Sequence, residues 1–303
     1  MGEDLYNSSE IAKRVFYDGS KVTGIDLADA CFGSSTSSLE STRVAQAAIG
    51  AVCLGTLLDL YDKGFKPSAG KGHSAGEVTL LGGAGILSVS ETFGLIKARS
   101  EITHQASIER PGKMAVVRHL SKDQIASAIA DILAEGRTFI INFNSTSQNV
   151  LSGDEETLIR AREVLKNKIA GAKFSILKIS GAFHSPYHMG PAVEPFYEAA
   201  QHLSYREPNF PVMLNNTRYL HELGTDNLAA YLSGQLVSSV DFVGGVGRLY
   251  RDGITDFVDV GPKPILGHLV QEDYGDRVRI YTAKELTDIY DLNSSLANSL
   301  QKD

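Results

Sequence analysis

Cysteine is scarce. The chain of 303 residues holds two, Cys31 and Cys53, too few for a disulfide framework or a cysteine-based zinc site, and their number fits a reducing cytoplasm. No run approaches the roughly 18 consecutive apolar residues that a membrane span needs, so no membrane partner is expected. The opening MGEDLYNSSE is acidic and polar, unlike a secretory leader. Met1-Gly2 could begin a myristoylation signal, but that signal wants Ser or Thr where Tyr6 stands. Positive charge is also short. With 29 Lys and Arg against 36 Asp and Glu, the net charge of −7 argues against nucleic acid as the main partner. Low-complexity tracts and repeats are missing too, which leaves an ordinary globular composition.

What is present starts with KGHSAGE at 71–77. Ser74 lies between two glycines at the G-x-S-x-G spacing, the pattern of a nucleophile on a tight strand-to-helix elbow. In a chain this rich in glycine and serine the pattern also arises by chance, so it needs a base and a fitting surround. The base of a serine nucleophile is normally histidine. His73 adjoins Ser74, but adjacent side chains on a bent strand end usually diverge. His184 lies in SGAFHSPYHMG. Each histidine, taken alone, reads first as a hydrogen-bonded structural residue.

The order of elements predicts an α/β chain. A helix over 43–62 precedes the elbow. A second, near 91–105, starts from the capping-box spacing Ser88 to Glu91 and carries Arg99 close to its apolar face. The middle of the chain reads strand 114–117, helix 121–136, strands 139–144 and 148–152, helix 154–171 and strand 173–179. That is the split βαβ, or ferredoxin-like, order, with Pro111-Gly112 and Ser180-Gly181 as hinges. Helices then alternate with short buried strands, as in a mostly parallel sheet covered on both faces. The expectation is a large α/β-hydrolase-like domain built from 1–110 and 181–303, interrupted by a small ferredoxin-like subdomain at 111–180. The crevice between them is the natural place for a substrate.

GHSAGE (72–77) together with GAFHSP (181–186) resembles the malonyl-CoA:acyl carrier protein transacylases and the acyltransferase domains of polyketide synthases. The resemblance runs through AGILS (84–88), LIKARS (95–100), NFNSTSQNVLSG (142–153), QLVSSVDF (235–242) and DVGPKPILGHL (259–269), in the family's order. It implies that Ser74 is the nucleophile and His184 the base, oriented through Nδ1 by a backbone carbonyl near Ser238. It implies that Arg99 holds the free carboxylate of a malonyl group and that the Ala75 N–H is one oxyanion donor. His73, Asn144 and Gln148 would line the acyl pocket, with Phe183 where malonyl-selective members carry an aromatic. The implied reaction transfers malonyl from coenzyme A to the phosphopantetheine thiol of an acyl carrier protein, without metal or other cofactor. A basic stretch that includes Arg162, Lys166 and Lys168 would dock the acidic carrier.

Several positions depart from the family. Ser100, Thr146, Ser239 and Lys263 replace a glycine, two prolines and a glycine. The segment before the elbow, where an apolar strand is expected, is KPSAGK (66–71), small and polar, and Lys71 stands just before Gly72 with no physical account in the sequence. The family also begins with a buried strand ending in Gly-Gln-Gly-Ser-Gln that supplies a second oxyanion donor. MGEDLY (1–6) corresponds to the family's Met-Gly and Leu-Tyr just after that loop, so the expectation is that the reading frame continues upstream with such a strand and loop. Two other functions remain in view: a hydrolase that clears acyl groups from carrier proteins, which Arg99 argues against, and an inactive carrier-binding subunit, which Ser74 and His184 argue against.

Overall fold

The computed structural model describes residues 1–34 and 39–290; the end of the expected second large-domain part, 291–303, lies outside the described residues. Three helices with no counterpart among the sequence expectations open the chain: Glu3–Ser8, Glu10–Thr23 and Leu27–Phe32. The middle one starts where the Ser9 hydroxyl accepts the Ala12 N–H, and Ala12, Val15, Phe16 and Gly19 turn inward at i, i+3, i+4 and i+7. That face packs on helix Thr42–Asp62. By length and composition Thr42–Asp62 could cross a membrane, which corrects the expectation that no segment comes near a span. Its Ala47, Ala51, Leu54 and Leu60 are buried inside the protein, and a core helix apolar on every side gives the same signal.

β1 (Gly70–Lys71) leads through the elbow into helix Ala75–Gly83. Helix Val89–Glu109 then starts from the capping box, with the Ser88 hydroxyl accepting the Glu91 N–H and the Glu91 carboxylate accepting the Ser88 N–H. Val78, Leu81, Phe93 and Ile96 from these helices meet Phe196 and Leu232 from the far end of the chain in one core.

The middle segment forms β2 (Lys113–Arg118), β3 (Thr138–Phe143), β4 (Gln148–Gly153) and β5 (Lys173–Ile176). Between β2 and β3 the single helix expected from the sequence is two, Lys122–Ala128 and Ala130–Ala134, because Ile129 leaves helical geometry. Helix Glu155–Lys168 joins β4 to β5. β2 is buried on both faces. Ala115 and Val117 point to Ile125, Leu151 and Leu158, whereas Met114 and Val116 point to Ile141, Val150 and Phe183.

Further on come β6 (Val212–Met213) and β7 (Val240–Asp241). β7 extends the middle segment's sheet, so its order is β5-β2-β4-β3-β7, antiparallel except for β3 with β7. Asn142 lies opposite Val240 there, and this pairing ties residues 142–144 to the segment that carries Gln235 and Ser238. The mostly parallel sheet expected for the rest of the chain is instead two short parallel pairs among the described residues. β1 pairs with β6, and β8 (Asp256–Asp259) pairs with β9 (Arg279–Thr282). KPSAGK offers no β-branched residue, and only Gly70 and Lys71 of it join a ladder. The fold is α/β with mixed sheets.

Candidate active site

At the elbow the chain turns from β1 into helix Ala75–Gly83 within three residues. A Cβ at Gly72 would overlap the Gly76–Glu77 backbone, so only glycine lets the strand pass this close to the helix. Ser74 takes φ 53°, ψ −116°, a strained backbone for a residue with a side chain. Strain of this kind costs about 1–3 kcal/mol and holds only where the surroundings enforce it. Here the Ser74 N–H donates to Asn215 Oδ1 at 3.3 Å and the Ser74 carbonyl accepts from Gln235 Nε2 at 3.2 Å. Ala75 opens the helix, so its N–H is a first-turn amide with no helical acceptor.

Ser74 Oγ lies 2.6 Å from His184 Nε2. His184 Nδ1 lies 3.0 Å from the Gln235 carbonyl and 3.1 Å from the Ser238 carbonyl. Both partners of Nδ1 are acceptors, so Nδ1 carries the ring proton and Nε2 is free to accept from serine. His184 is 2 % exposed. Burial, followed by the charge of Arg99, pushes it down to about 3, so the ring is neutral at physiological pH.

Arg99, from the third turn of helix Val89–Glu109, is 4 % exposed. Its Nη2 donates to Ser74 Oγ at 3.3 Å and Gln235 Oε1 at 3.4 Å, and its Nη1 to Gln46 Oε1 at 2.7 Å. Its Nε is buried with no partner among the described residues. Burial pulls the guanidinium down to about 10 against the pull of Glu77, so it stays charged. All three acceptors are neutral. A buried cation with uncharged partners and a spare donor is arranged to receive an anion beside the serine.

Of the other residues the sequence pointed to, the structure joins His73 and Asn144, Nε2 to Oδ1 at 2.9 Å. Phe183 is half-buried and packs where the main core meets the underside of β2, β3 and β4. Gln148 is not brought to Ser74. It stands opposite Arg118 in the β2–β4 ladder, and its Oε1 accepts from Arg118 Nε at 2.8 Å. Its backbone carbonyl does support the loop, accepting from Asn144 N at 3.0 Å. A cleft of about 250 Å³ runs beside His184, lined by Leu133, β3 residues 138–141, Pro186, Val237 and Ser239.

Sequence reasoning missed four groups that hold the site together: Gln46, Glu77, Asn215 and Gln235. Glu77 is fully buried; its Oε1 accepts from Asn215 N at 2.7 Å and Tyr231 OH at 3.0 Å, its Oε2 from Gln235 Nε2 at 2.6 Å. Burial raises its carboxyl above the ordinary carboxylate range, opposed by these bonds and the Lys71 charge. Glu77 lies in GHSAGE beside the nucleophile and Gln235 opens QLVSSVDF, so both were legible as polar residues of quoted segments. Gln46 lies in an apolar helix and gave no such signal.

A serine held against a neutral histidine at an elbow, with an anion receptor at its oxygen, can form and pass on an ester of an acidic acyl group. The chain belongs to the acyl transferase domain family, which it matches over residues 1–289. It is similar to the malonyl CoA-acyl carrier protein transacylase of Bacillus subtilis, 29% identical over 274 residues that make up 90% of this chain and 85% of that one. Among solved structures, the malonyl CoA-acyl carrier protein transacylase of Clostridium perfringens superposes with TM-score 0.86 at 26% identity, covering 100% of this chain and 95% of the other. A malonyl-transacylase solved with a type II polyketide synthase acyl-carrier protein has TM-score 0.85 at 26% identity, covering 93% and 90%.

Proposed function

We propose that the chain transfers a malonyl group from coenzyme A to the phosphopantetheine thiol of an acyl carrier protein, through an ester on Ser74, in fatty-acid or polyketide synthesis. The observation that carries this reading is Arg99. Among the described residues its buried guanidinium has only neutral partners, and it lies 3.3 Å from the nucleophile's oxygen. A charge-assisted pair with the malonyl carboxylate contributes about 1.5–3 kcal/mol, which favours malonyl over acetyl by roughly ten- to a hundredfold.

In the first half-reaction Ser74 Oγ attacks the thioester carbonyl while its proton moves to His184 Nε2. The Ala75 N–H receives the developing oxyanion. The carbon–sulfur bond breaks, His184 protonates the departing sulfur, and malonyl remains as the Ser74 ester. The carrier's thiol then gives its proton to His184 and attacks that ester. The carbon–oxygen bond breaks and Ser74 recovers its proton. The Gln235 and Ser238 carbonyls hold the Nδ1 proton throughout and stabilise the transient imidazolium. His73 and Asn144 line the acyl pocket with Phe183 as the aromatic wall, and the cleft beside His184 admits the pantetheine arm. Every step runs through side-chain and backbone groups, so the reading needs no cofactor.

The fold reads as a large α/β-hydrolase-like domain (1–110 and 181–303) with a ferredoxin-like subdomain at 111–180. The β-α-β-β-α-β order and the β5-β2-β4-β3 arrangement support the subdomain part of this reading. The carrier docks on helix Glu155–Lys168. Arg162 pairs with its neighbour Glu163 and Lys168 donates to the Ala128 carbonyl, while Lys166 has no hydrogen bond or ion pair among the described residues. Both thiols are free and pushed up by burial, Cys31 to about 11 and Cys53 to about 12, in keeping with a cytoplasmic protein.

The test is transfer itself. The protein, malonyl-CoA and a phosphopantetheinylated carrier should yield malonyl-carrier with little free malonate. Release of malonate in place of transfer would make the chain a hydrolase, and neither product would make it an inactive carrier-binding subunit.

A further inference from the structure

Lys71 ends β1 where an apolar residue is expected, and no step of the transfer uses it. Its stem lies across Gly245 of helix Phe242–Arg251, where a Cβ would run into the last carbons and the ammonium. Nζ donates to the Leu214 carbonyl at 2.9 Å and stands 6.0 Å from the Phe242 ring centroid. Leu214 C=O and Asn215 N–H are two ends of one peptide unit. The carbonyl end takes the lysine, and the N–H end donates to Glu77 Oε1 at 2.7 Å. Glu77 Oε2 in turn receives Gln235 Nε2, which also reaches the Ser74 carbonyl, and Gln235 Oε1 accepts from Arg99.

The chain of contacts therefore runs from a cation through a peptide to a fully buried carboxylate, and from there to the elbow and the anion receptor. Among the described residues Glu77 has no cation in direct contact; the charges that act on it are those of Lys71 and Arg99. Lys71 itself faces Glu77, Asp241 at the start of helix Phe242–Arg251, and the neutral His73. Three donors converge on the Glu77 carboxylate: Asn215 N–H, Tyr231 O–H and Gln235 N–H. A proton added to Glu77 would displace one of them.

We propose that Lys71 is a positioning residue whose cation, acting through the shared Leu214–Asn215 peptide, keeps Glu77 ionised and thereby fixes Gln235 against the Ser74 elbow and Arg99. A cation on a peptide carbonyl polarises the unit and strengthens donation from its N–H. A buried carboxylate stays ionised only when its charge is compensated and its lone pairs are filled. Burial pushes Lys71 down to about 8, with Glu77 and Asp241 opposing, so the cation is present at neutral pH.

The test compares wild type, Lys71→Met, Glu77→Gln and the double variant; methionine keeps the stem that crosses Gly245 and removes the charge. The rate readout rests on the transacylase reading, whereas melting temperature does not. At pH 7 Lys71→Met should slow malonylation of Ser74 by about tenfold on the wild-type background and by less than about threefold on Glu77→Gln, because coupled residues lose their effect together. The acid limb of the Lys71→Met rate profile should lie about one pH unit above that of wild type, since a carboxyl without its cation takes its proton at higher pH. Loss of melting temperature should show the same non-additive pattern. Equal losses on both backgrounds with an unmoved acid limb would overturn the proposal. If Lys71→Met fails to fold and the double variant folds, the proposal holds; if neither folds, Lys71 acts by packing and the proposal is wrong. A wild type that takes no malonyl sinks the transacylase reading instead, and the four melting temperatures still decide the role of Lys71.

Discussion

The guanidinium of Arg99 donates to the hydroxyl of Ser74 at 3.3 Å, Nη2 to Oγ. In the proposed reaction that proximity lets Arg99 read the acyl group rather than take part in the chemistry. Arg99→Ala should keep a reactive serine and lower the malonyl-to-acetyl ratio of kcat/KM by about ten- to a hundredfold. Steady-state kinetics with both thioesters checks this, and an unchanged ratio would remove Arg99 from the account.

Gln46 anchors the other fork of the guanidinium, Nη1 to Oε1 at 2.7 Å. Gln46→Ala frees Arg99 to swing, so kcat/KM for malonyl-CoA should fall about tenfold, the size of one hydrogen bond to a charged group. Acetyl-CoA kinetics should change far less. Parallel losses for both would mean that Gln46 supports the fold and not the receptor.

His184 is held neutral with its proton on Nδ1. Nitrogen NMR of labelled histidine should find that tautomer from pH 8 down to pH 5, with no titration near the ordinary histidine value of about 6.5. Stability should change with pH in a definite direction. The folded ring is depressed to about 3, so the unfolded chain binds the extra proton first as pH falls. The stability His184 contributes is present above about pH 6.5 and is lost progressively toward pH 3. A ring that titrates near 6.5 in the folded protein would contradict both statements.

Charge reversal on helix Glu155–Lys168 tests the carrier surface. Lys166→Glu with Lys168→Glu should raise KM for the carrier by about tenfold at low salt, weaken its salt dependence, and leave malonyl-CoA kinetics alone. Equal effects on both substrates would indicate damage to the subdomain.

The site was legible because its chemistry sits in contiguous motifs. Gly72 and Ser74 lie within the elbow they form, and Arg99 comes after a capping box that the sequence shows openly, whereas the carbonyls that hold His184 come from Gln235 and Ser238, more than fifty residues further on. Cross-strand partners are invisible in one dimension. The register that sets Gln148 against Arg118 cannot be read from the chain, so the hydrogen bond between their side chains was not foreseen. Helix Glu10–Thr23 was obscured because Gly19 and Thr23 occupy two of its inward positions. The break at Ile129 has no proline or glycine to announce it. The short parallel pairs differ from the continuous sheet expected because alternating apolar patches say which segments are buried, not how many residues hydrogen-bond.

The central claim is that Ser74, next to a carboxylate receptor, carries malonyl between two thiols. Intact-mass measurement after brief exposure to malonyl-CoA without carrier tests it most directly. Wild type should gain one malonyl group, lose it when phosphopantetheinylated carrier is added, and gain much less from acetyl-CoA at equal concentration; Ser74→Ala should gain none. An adduct that survives in Ser74→Ala, or a wild type that consumes the thioester while remaining unmodified, would contradict the account.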